Sequence, residues 1–211
     1  MQPFERVLYS YCPECRGWFR APGYEHDSND GASLYTDGLM EIPDNPDLSF
    51  GVCSGCNTVS SFMDWHQYLL DDQEFIHDKF VTMNPATFSQ AFAFCQEESQ
   101  GGVGVRMLAM LRFYLWQLGN DVRRNGTPDL PLSPDEESNL LKFLGLTHNQ
   151  EEFAITRGLA LRALGRFDEA IETLEASPKE TKMDRLIASR NIELAIGRST
   201  VLDTVWFGEH K

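Results

Sequence analysis

The most regular pattern of apolar and polar positions lies near the middle of the chain, in VRMLAMLRFYLWQLGNDVRRN, residues 105–125. Apolar residues recur there every three or four positions, which is the spacing of one face of an α-helix. Leu108 and Leu115 widen that face, so the segment predicts a long helix at the centre of a bundle. Arg123 and Arg124 are interpreted as cations that oppose the helix dipole, with anion binding as the alternative. The predicted apolar face comprises Met107, Leu111, Tyr114, Leu118 and Val122.

Similar patterns predict helices on both sides of this segment. Residues 61–72 and 84–98 show helical spacing of aromatic residues, and Cys95 in the second segment is interpreted as a small core residue. Ser133, followed by proline and two acids, is typical of a helix start, and that helix would run to Gly145. The predicted buried positions are Trp65, Tyr68 and Leu69; Phe88, Ala91 and Phe92; Leu140, Leu141, Phe143 and Leu144; and, in residues 179–197, Met183, Leu186, Ile187, Ile192 and Leu194.

One stretch in the last third of the chain, FAITRGLALRALGRFDEAIETLEASP, residues 153–178, resembles a tetratricopeptide repeat. In this resemblance Gly158 and Ala170 let two helices approach closely, and Gly165 ends the first helix. Pro178 comes about four residues early, which shortens the second helix. One repeat cannot bury its own apolar face, so the preceding helices must supply its neighbours. The matching positions are Gly158, Leu161, Gly165, Phe167, Ala170 and Pro178.

The first third of the chain has shorter apolar runs separated by turn residues. SLYTDGLMEI, residues 33–42, places Asp-Gly between two apolar stretches and predicts a β-hairpin. The two prolines of residues 43–50 exclude pairing within a central strand. Two Cys-x-x-Cys pairs flank this insertion, so the pattern predicts a β-ribbon that carries both pairs.

Those pairs are Cys12 with Cys15 and Cys53 with Cys56, four of the five cysteines in the chain. Disulfides are disfavoured because the sequence has no export signal and cytosolic thiols stay reduced. A redox dithiol needs a single pair at the start of a helix in a βαβ unit. Two short knuckles instead suit a tetrahedral zinc site. We therefore expect these four cysteines to bind one zinc ion.

The expected zinc site is structural, because four thiolates leave no open position for an activated water molecule. Pro13 and Gly55 fit the tight turns of the two knuckles, because proline presets φ and glycine admits positive φ. His26 is a weaker alternative ligand, since it lies in a loop without knuckle spacing. Metal binding would supply the stability that a small polar segment lacks.

The motifs CPEC, YTDG and CSGC, followed by a helical tail, resemble a group of bacterial zinc-ribbon proteins of unknown function. The resemblance spans most of the chain and implies an architecture but no activity. Together with the patterns above, it predicts an α+β fold. The expected parts are a small four-cysteine zinc β-ribbon at 1–60, a helical connector at 61–82, and an α-helical repeat-like bundle at 83–211 with the tetratricopeptide-like helix pair at 151–178.

Charge narrows the classes of partner. The chain has 32 Asp and Glu against 18 Lys and Arg, a net charge of −14, which disfavours binding to duplex nucleic acid and to anionic lipid. No segment reads as a signal peptide or reaches the roughly 18 apolar residues of a membrane span, so a soluble, cytoplasmic protein is expected. Residues 1–82 hold 14 acidic and 4 basic residues. That asymmetry is either a solvated face or a surface for a basic protein partner.

The leading functional hypothesis is a non-enzymatic interaction or adaptor protein, because helical repeats offer extended binding grooves. One alternative is a regulator whose acidic ribbon contacts the transcription machinery or nucleic-acid-binding proteins. Another is an enzyme of unidentified class, with acids of the insertion and His66 or His77 as candidates, although aspartates are also common in turns. The C-terminal aromatic pair either docks on the bundle or anchors a partner. The candidate partner-binding residues are Asp37, Glu41, Asp44, Asp47, Trp206 and Phe207.

Overall fold

The structure is a computed structural model, and it describes residues 6–20, 33–36, 40–41, 50–61, 68–71, 80–101 and 103–205. It confirms a mixed α+β fold, with short antiparallel strands towards the N-terminus and helices towards the C-terminus. The chain divides into two compact units. We call Met1–Asn29 with Asp44–Glu97 the strand unit, and Asp30–Pro43 with Glu98–Lys211 the helical unit.

Two three-stranded antiparallel sheets form the strand unit. Their strands are β1 (Arg6–Tyr11), β2 (Trp18–Arg20), β5 (Phe50–Cys53), β6 (Val59–Ser61), β7 (Tyr68–Asp71) and β8 (Met83–Pro85). Two further strands, β3 (Ser33–Tyr35) and β4 (Met40–Glu41), lie in the helical unit. The first sheet has the order β2-β1-β7, and the second has the order β6-β5-β8. Each first cysteine of a pair comes at the end of a strand, so the turn that follows it leads back into an antiparallel partner.

The helix predicted over residues 61–72 is wrong where the structure describes that segment. Residues 68–71 form β7, which pairs with β1 from Arg6 opposite Asp71 to Tyr9 opposite Tyr68. A segment with aromatic and apolar residues at short range fits a strand as well as a helix, and pairing with β1 decides between them. The predicted helical connector at 61–82 therefore contains a strand.

Helix α1 (Phe88–Glu98) completes the described part of the strand unit. It begins four residues later than predicted, because Met83–Pro85 pairs with β5. Thr87 and Gln90 then cap it reciprocally: the Gln90 N–H donates to Thr87 Oγ1 at 3.4 Å, and Gln90 Oε1 accepts from the Thr87 N–H at 2.9 Å. Cys95 is fully buried in this helix, as predicted for a core residue.

The described helical unit contains six helices, most of which pack on a helix close to them in sequence. Their bounds are α2 (Val105–Gly119), α3 (Asp121–Arg124), α4 (Pro134–Thr147), α5 (Ala154–Ala163), α6 (Phe167–Ala176) and α7 (Lys182–Ile196), with a 3-10 turn at Glu151–Phe153. α2 packs on α4, α4 on α5, α5 on α6 and α6 on α7, while α5 also contacts α7. In the described part of the chain, no helix combines the length and apolar character needed to cross a bilayer.

The predicted helix starting after Ser133 is confirmed. The Ser133 side chain accepts from the Glu136 N–H, and the Glu136 carboxylate accepts from the Ser133 N–H, which is a complete capping box. The helix runs past Gly145 to Thr147. Leu140 and Phe143 are fully buried, whereas Leu141 is half-exposed and does not belong to the core.

The apolar face predicted for residues 105–125 is partly wrong. α2 ends at Gly119, and Met107 and Val122 are 37% and 60% exposed. Trp116 and Arg112, which the predicted apolar face does not include, are buried instead. The buried face of α2 consists of Leu108, Ala109, Leu111, Arg112, Leu115, Trp116 and Gln117.

Arg123 binds the C-terminal end of α2, as interpreted from the sequence, and it also joins that end to other segments. It is buried and donates to both carboxylate oxygens of Glu136, at 2.5 and 3.2 Å. It also donates to the carbonyl oxygens of Gly119, Leu130 and Pro131 at 2.8 to 3.1 Å. One guanidinium therefore joins the end of α2 to the connector before α4 and to the first turn of α4.

The α5–α6 pair has the close packing that the tetratricopeptide resemblance implies. A Cβ placed at Gly158 would lie 2.5 Å from Leu174 Cδ2, so a larger residue there would push the two helices apart. Gly165 adopts φ of +72° in the turn between them, where glycine is least strained. Ala170 and Leu174 of α6 are fully buried.

The predicted hairpin in the insertion is confirmed, and it lies in the helical unit. β3 (Ser33–Tyr35) and β4 (Met40–Glu41) pair antiparallel, with Leu34 opposite Met40. β3 also pairs with β9 (Thr204–Val205), which gives a sheet of order β4-β3-β9. Thr36, directly after β3, is fully buried. The stretch of chain between the cysteine pairs thus contributes to the helical unit as well as to the strand unit.

Candidate metal centre

The structure brings the four predicted cysteine sulfurs together. Cys12 Sγ lies 3.6 Å from Cys56 Sγ, and Cys15 Sγ lies 3.7 Å from Cys53 Sγ. All four ligand atoms are within 4.8 Å of one another. Four sulfurs around a tetrahedral ion with bonds of about 2.3 Å would be about 3.8 Å apart. The cluster therefore has the dimensions of a four-coordinate metal site.

Two turns with the same hydrogen bonds present the sulfurs. In the first, the Cys12 N–H donates to Gly17 O at 2.9 Å and the Arg16 N–H donates to Cys12 O at 3.0 Å. In the second, the Cys53 N–H donates to Thr58 O at 3.0 Å and the Asn57 N–H donates to Cys53 O at 2.7 Å. Both turns reverse the chain within five residues and place their two sulfurs on the same side.

The residue after each second cysteine takes the left-handed conformation. Arg16 has φ of 57° and Asn57 has φ of 59°. Gly55 lies in the second turn, as expected, but it does not use the positive φ that glycine admits, since Gly165 is the glycine of the described residues in that region of φ. Asparagine tolerates this conformation better than arginine does, because its short side chain bonds locally.

Gly17 and Gly55 are instead required by the close approach of a third segment. A Cβ at Gly17 would lie 2.5 Å from Val81 Cγ1, and one at Gly55 would lie 2.7 Å from the same atom. Val81 thus fills the space over both turns. Together with Met83 and Phe19 it packs against the buried cysteines.

Backbone hydrogen bonds attach that third segment to both turns. The Val81 N–H donates to Trp18 O at 2.8 Å, after the first turn. The Ser54 N–H donates to Thr82 O at 2.9 Å, and the Thr82 N–H donates to Ser54 Oγ at 2.9 Å, within the second turn. Residues 80–83 therefore hold the two cysteine turns in register through hydrogen bonds between protein atoms.

In each turn the first cysteine is more buried than the second, and the pKa values of the two thiols differ in the same way. Cys12 and Cys53 are fully buried, and burial raises the pKa of Cys53 and raises that of Cys12 to about 12. Cys56 is exposed, and hydrogen bonding with the Thr58 side chain and backbone lowers its pKa to about 6. A hydrogen bond from the Gly17 backbone lowers the pKa of Cys15. A bound cation would stabilise all four thiolates and displace the protons of the buried pair.

Chemically, the centre offers four soft sulfur donors to one ion. These four donors complete a tetrahedron, so a bound ion would have no free position at which to polarise a substrate or a water molecule. All five cysteines are free thiols. Among the described residues this is the one group of cysteine, histidine and acidic side chains close enough to hold a metal.

Of the other predicted partner-binding residues, the structure describes one, Glu41. Glu41 is the last residue of β4, in the helical unit. The remaining predicted residues lie outside the described residues: Asp37, Asp44, Asp47, Trp206 and Phe207 as partner-binding candidates, and His26, His66 and His77 as weaker candidates.

Sequence reasoning missed the residues that support the cysteines. Val81 carries no motif, and it lies 25 residues after the last ligand. A weak signal was present at Gly17, since a small residue two positions after a Cys-x-x-Cys pair marks a place where another backbone or side chain approaches. Thr58 occupies the same position after the second pair, and its hydroxyl lies 3.3 Å from Cys56 Sγ.

Comparison of the chain with protein-family models, with curated proteins and with solved structures finds no match.

Proposed function

We propose that this protein is a non-enzymatic interaction or adaptor protein whose strand unit is held together by one structural zinc ion. The proposed metal site rests on the distances between sulfur atoms, 3.6 and 3.7 Å, within the cluster of four cysteines. Four thiolates favour zinc over hard cations such as magnesium or calcium, which prefer oxygen ligands. Because these thiols are free, a reducing compartment such as the cytoplasm suits the protein.

The structural role of the ion follows from the closed ligand set. The sheets of the strand unit are short, and the longest described strand has six residues. Such sheets bury little apolar surface, so a metal that joins two turns contributes much of their stability. Reaction at the ion would require a ligand to leave, and two of the four ligands are fully buried.

The interaction role is supported by the helical unit. α5 and α6 pack closely through Gly158 and Leu174, and α7 packs on both of them. Sequential stacking of this kind is how helical repeats build extended surfaces for partner proteins. The net charge of −14 favours a basic partner, whose association would be faster at low ionic strength.

Metal analysis tests the zinc assignment. Protein purified under reducing conditions should contain one zinc per chain by elemental analysis. The Cys12→Ser/Cys53→Ser variant should contain none, while Cys95→Ala, which changes the cysteine outside the cluster, should keep the full amount. Iron in place of zinc in material prepared with both metals present would make the zinc assignment wrong.

Reconstitution tests the adaptor role. The tagged full-length protein is used to capture partners from an extract of the cells that produce it, and each candidate is then purified separately. We expect at least one of them to form a stoichiometric complex with the purified protein on size-exclusion chromatography, and the complex should weaken as salt rises. Failure of every captured candidate to reconstitute would contradict the proposal.

A further inference from the structure

The segment Ser199–Val205, which we call the strap, is bound to the helical unit in the way that proteins bind extended peptides. It combines a short antiparallel pairing, through β9 and β3, with a few anchoring side chains. Peptide recognition by strand addition has these two components, in which backbone hydrogen bonds supply affinity and pockets for alternate side chains supply specificity. The strap therefore shows what kind of segment this surface accepts.

Most of the hydrogen bonds to the strap involve its backbone. Arg162 Nη1 donates to the carbonyl oxygens of Ser199 and Val201 at 3.0 and 2.9 Å. The Thr36 N–H donates to Asp203 O at 2.8 Å, and Thr36 Oγ1 accepts from the Asp203 N–H at 3.0 Å. None of these bonds depends on the side chains of the strap, so a foreign segment in the same conformation would form them too.

Three side chains of the strap are specific anchors. Leu202 and Val205 are 8% and 6% exposed, and Val205 belongs to the main core cluster. Between them, Asp203 accepts from Arg190 Nε at 3.1 Å. Thr204 is exposed. The surface thus selects an apolar residue, then an acid, then any residue, then a second apolar residue.

The residues that receive the strap are held in place by other parts of the unit. Arg162 Nε donates to Asn191 Oδ1 at 2.6 Å, and Asn191 Nδ2 donates to Ile187 O at 2.8 Å. Thr36 follows β3, which pairs with β4 on its other side. We call the surface formed by Thr36, Arg162 and Arg190 the slot. Arg190 Nη1 donates to Glu193 Oε2 at 2.8 Å, and none of these supporting bonds involves the strap.

The turn that leads from α7 into the strap is strained. The Arg198 N–H donates to Ala195 O and the Ser199 N–H donates to Leu194 O, which is the pattern of a helix ending with a left-handed residue. Glycine usually occupies that position, but here Arg198 does, with φ of 53°. These bonds are local to the end of α7, so the left-handed Arg198 sets the direction in which the strap leaves the helix.

We propose that the slot binds an extended segment of a partner protein with the pattern apolar–acidic–any–apolar, and that the strap occupies it as an intramolecular competitor. This inference rests on the proposed adaptor function and names the class of partner segment. A tethered segment acts at an effective concentration of about millimolar. A partner segment must therefore outcompete the strap, so the slot is occupied in cis until such a partner is present.

The test uses a fluorescently labelled peptide, RSTVLDTVWFG, and the full-length protein. In an opened variant, Leu202→Ala/Asp203→Lys, the strap loses one apolar anchor and gains a charge that Arg190 repels. We expect saturable binding of the peptide to the opened variant by fluorescence anisotropy, at least tenfold tighter than to the unmodified protein. A control peptide with the same two substitutions should bind at least tenfold more weakly.

Charge exchange shows whether binding takes place at the slot. In a Leu202→Ala/Arg190→Asp variant the strap keeps Asp203, which the new aspartate repels, so the slot stays open. This variant should bind the original peptide weakly and a peptide that carries only Asp203→Lys tightly. Hydrogen exchange of α5 to α7 verifies that each variant is folded. If the opened variant does not fold, Asp203→Ala replaces it, with an expected gain of at least threefold over the unmodified protein.

Two results would overturn the proposal. One is a failure of specific peptide binding to a folded opened variant, seen either as no saturable binding or as equal binding of the original and control peptides. The other is a dimer of the unmodified protein that the strap substitutions abolish, which would assign the slot to a second copy. Either result is compatible with the adaptor function if a purified partner still forms a complex with the protein. Conversely, if the peptide binds the slot as expected but no purified candidate forms a complex, the adaptor function alone is contradicted.

Discussion

The hydroxyl of Thr36 accepts a hydrogen bond from Arg162 Nη2 at 3.1 Å, although the two residues lie 126 positions apart in the chain. Both side chains are buried, and the same hydroxyl accepts from the Asp203 N–H. One oxygen atom therefore joins the hairpin, helix α5 and the strap. Since Thr36 lies between the two cysteine pairs in sequence, a segment bounded by these pairs takes part in the core of the helical unit.

Replacing Thr36 by valine should destabilise the helical unit by about 1–3 kcal/mol. Valine keeps the shape of threonine but removes the acceptor of two buried donors. Urea unfolding followed by far-UV circular dichroism measures the change. Thr36→Ser retains the hydroxyl and should lose clearly less stability. Equal losses in the two variants would show that the methyl group matters more than the hydrogen bonds.

Two glycines in helices should respond to alanine with opposite signs. Gly158→Ala should destabilise the protein by about 1–3 kcal/mol, because its Cβ would overlap Leu174. Gly145→Ala should stabilise it by about 0.5–1 kcal/mol, because a Cβ there meets nothing within 4 Å and alanine favours the helix. Thermal unfolding of both variants checks the pair. A stabilising Gly158→Ala would contradict the close packing of α5 and α6.

Glu136→Gln should destabilise the protein by about 3–5 kcal/mol, because it leaves the charge of Arg123 buried without its carboxylate. Denaturant unfolding at neutral pH measures this loss. The exposed neighbour Glu137, changed to glutamine, is the matched control and should alter stability by less than about 0.5 kcal/mol. A loss as small as that of the control would contradict a buried ion pair.

The same pair predicts a pH dependence. Burial acts to raise the pKa of Glu136, but hydrogen bonds from Arg123 and Ser133 outweigh it, so its pKa is lowered. A lowered carboxyl pKa contributes stability that is present above the unfolded value, about 4.3, and is lost as the pH falls through the folded value. Unfolding free energies measured below about pH 4.3 should therefore decline less steeply in Glu136→Gln than in the unmodified protein. Parallel curves would contradict the lowered pKa.

Gly17→Ala should reduce metal retention without changing a ligand. Its Cβ would lie 2.5 Å from Val81 Cγ1, so either the first cysteine turn or residues 80–83 must move. Changes around metal ligands typically lower affinity by about 10–100-fold, and competition with a chelator measures this affinity. Adding Val81→Ala should restore part of the loss, and Gly126→Ala, in open space, should have no effect. Absence of a rescue would mean that Val81 does not control the geometry of the site.

Several features of this protein were predictable because they depend on residues close together in sequence. The Cys-x-x-Cys turns, the pairing of β3 with β4, the Ser133 capping box and the glycine turn at Gly165 are local structures whose geometry a few neighbouring residues determine. The assembly of four cysteines from two distant turns was also predictable, because a tetrahedral ion needs four donors and each turn supplies two.

Other features were decided by contacts between distant parts of the chain. Residues 68–71 form a strand because β1 offers them a pairing edge. Val122 lies outside α2, which ends at Gly119, and Arg123 of the following short helix donates to the Gly119 carbonyl oxygen. Val81 and Thr36 acquire their roles only when segments far apart in sequence meet. Periodicity and motifs describe what each segment is able to form, whereas the partner that satisfies its backbone and its apolar face exists only in the folded chain.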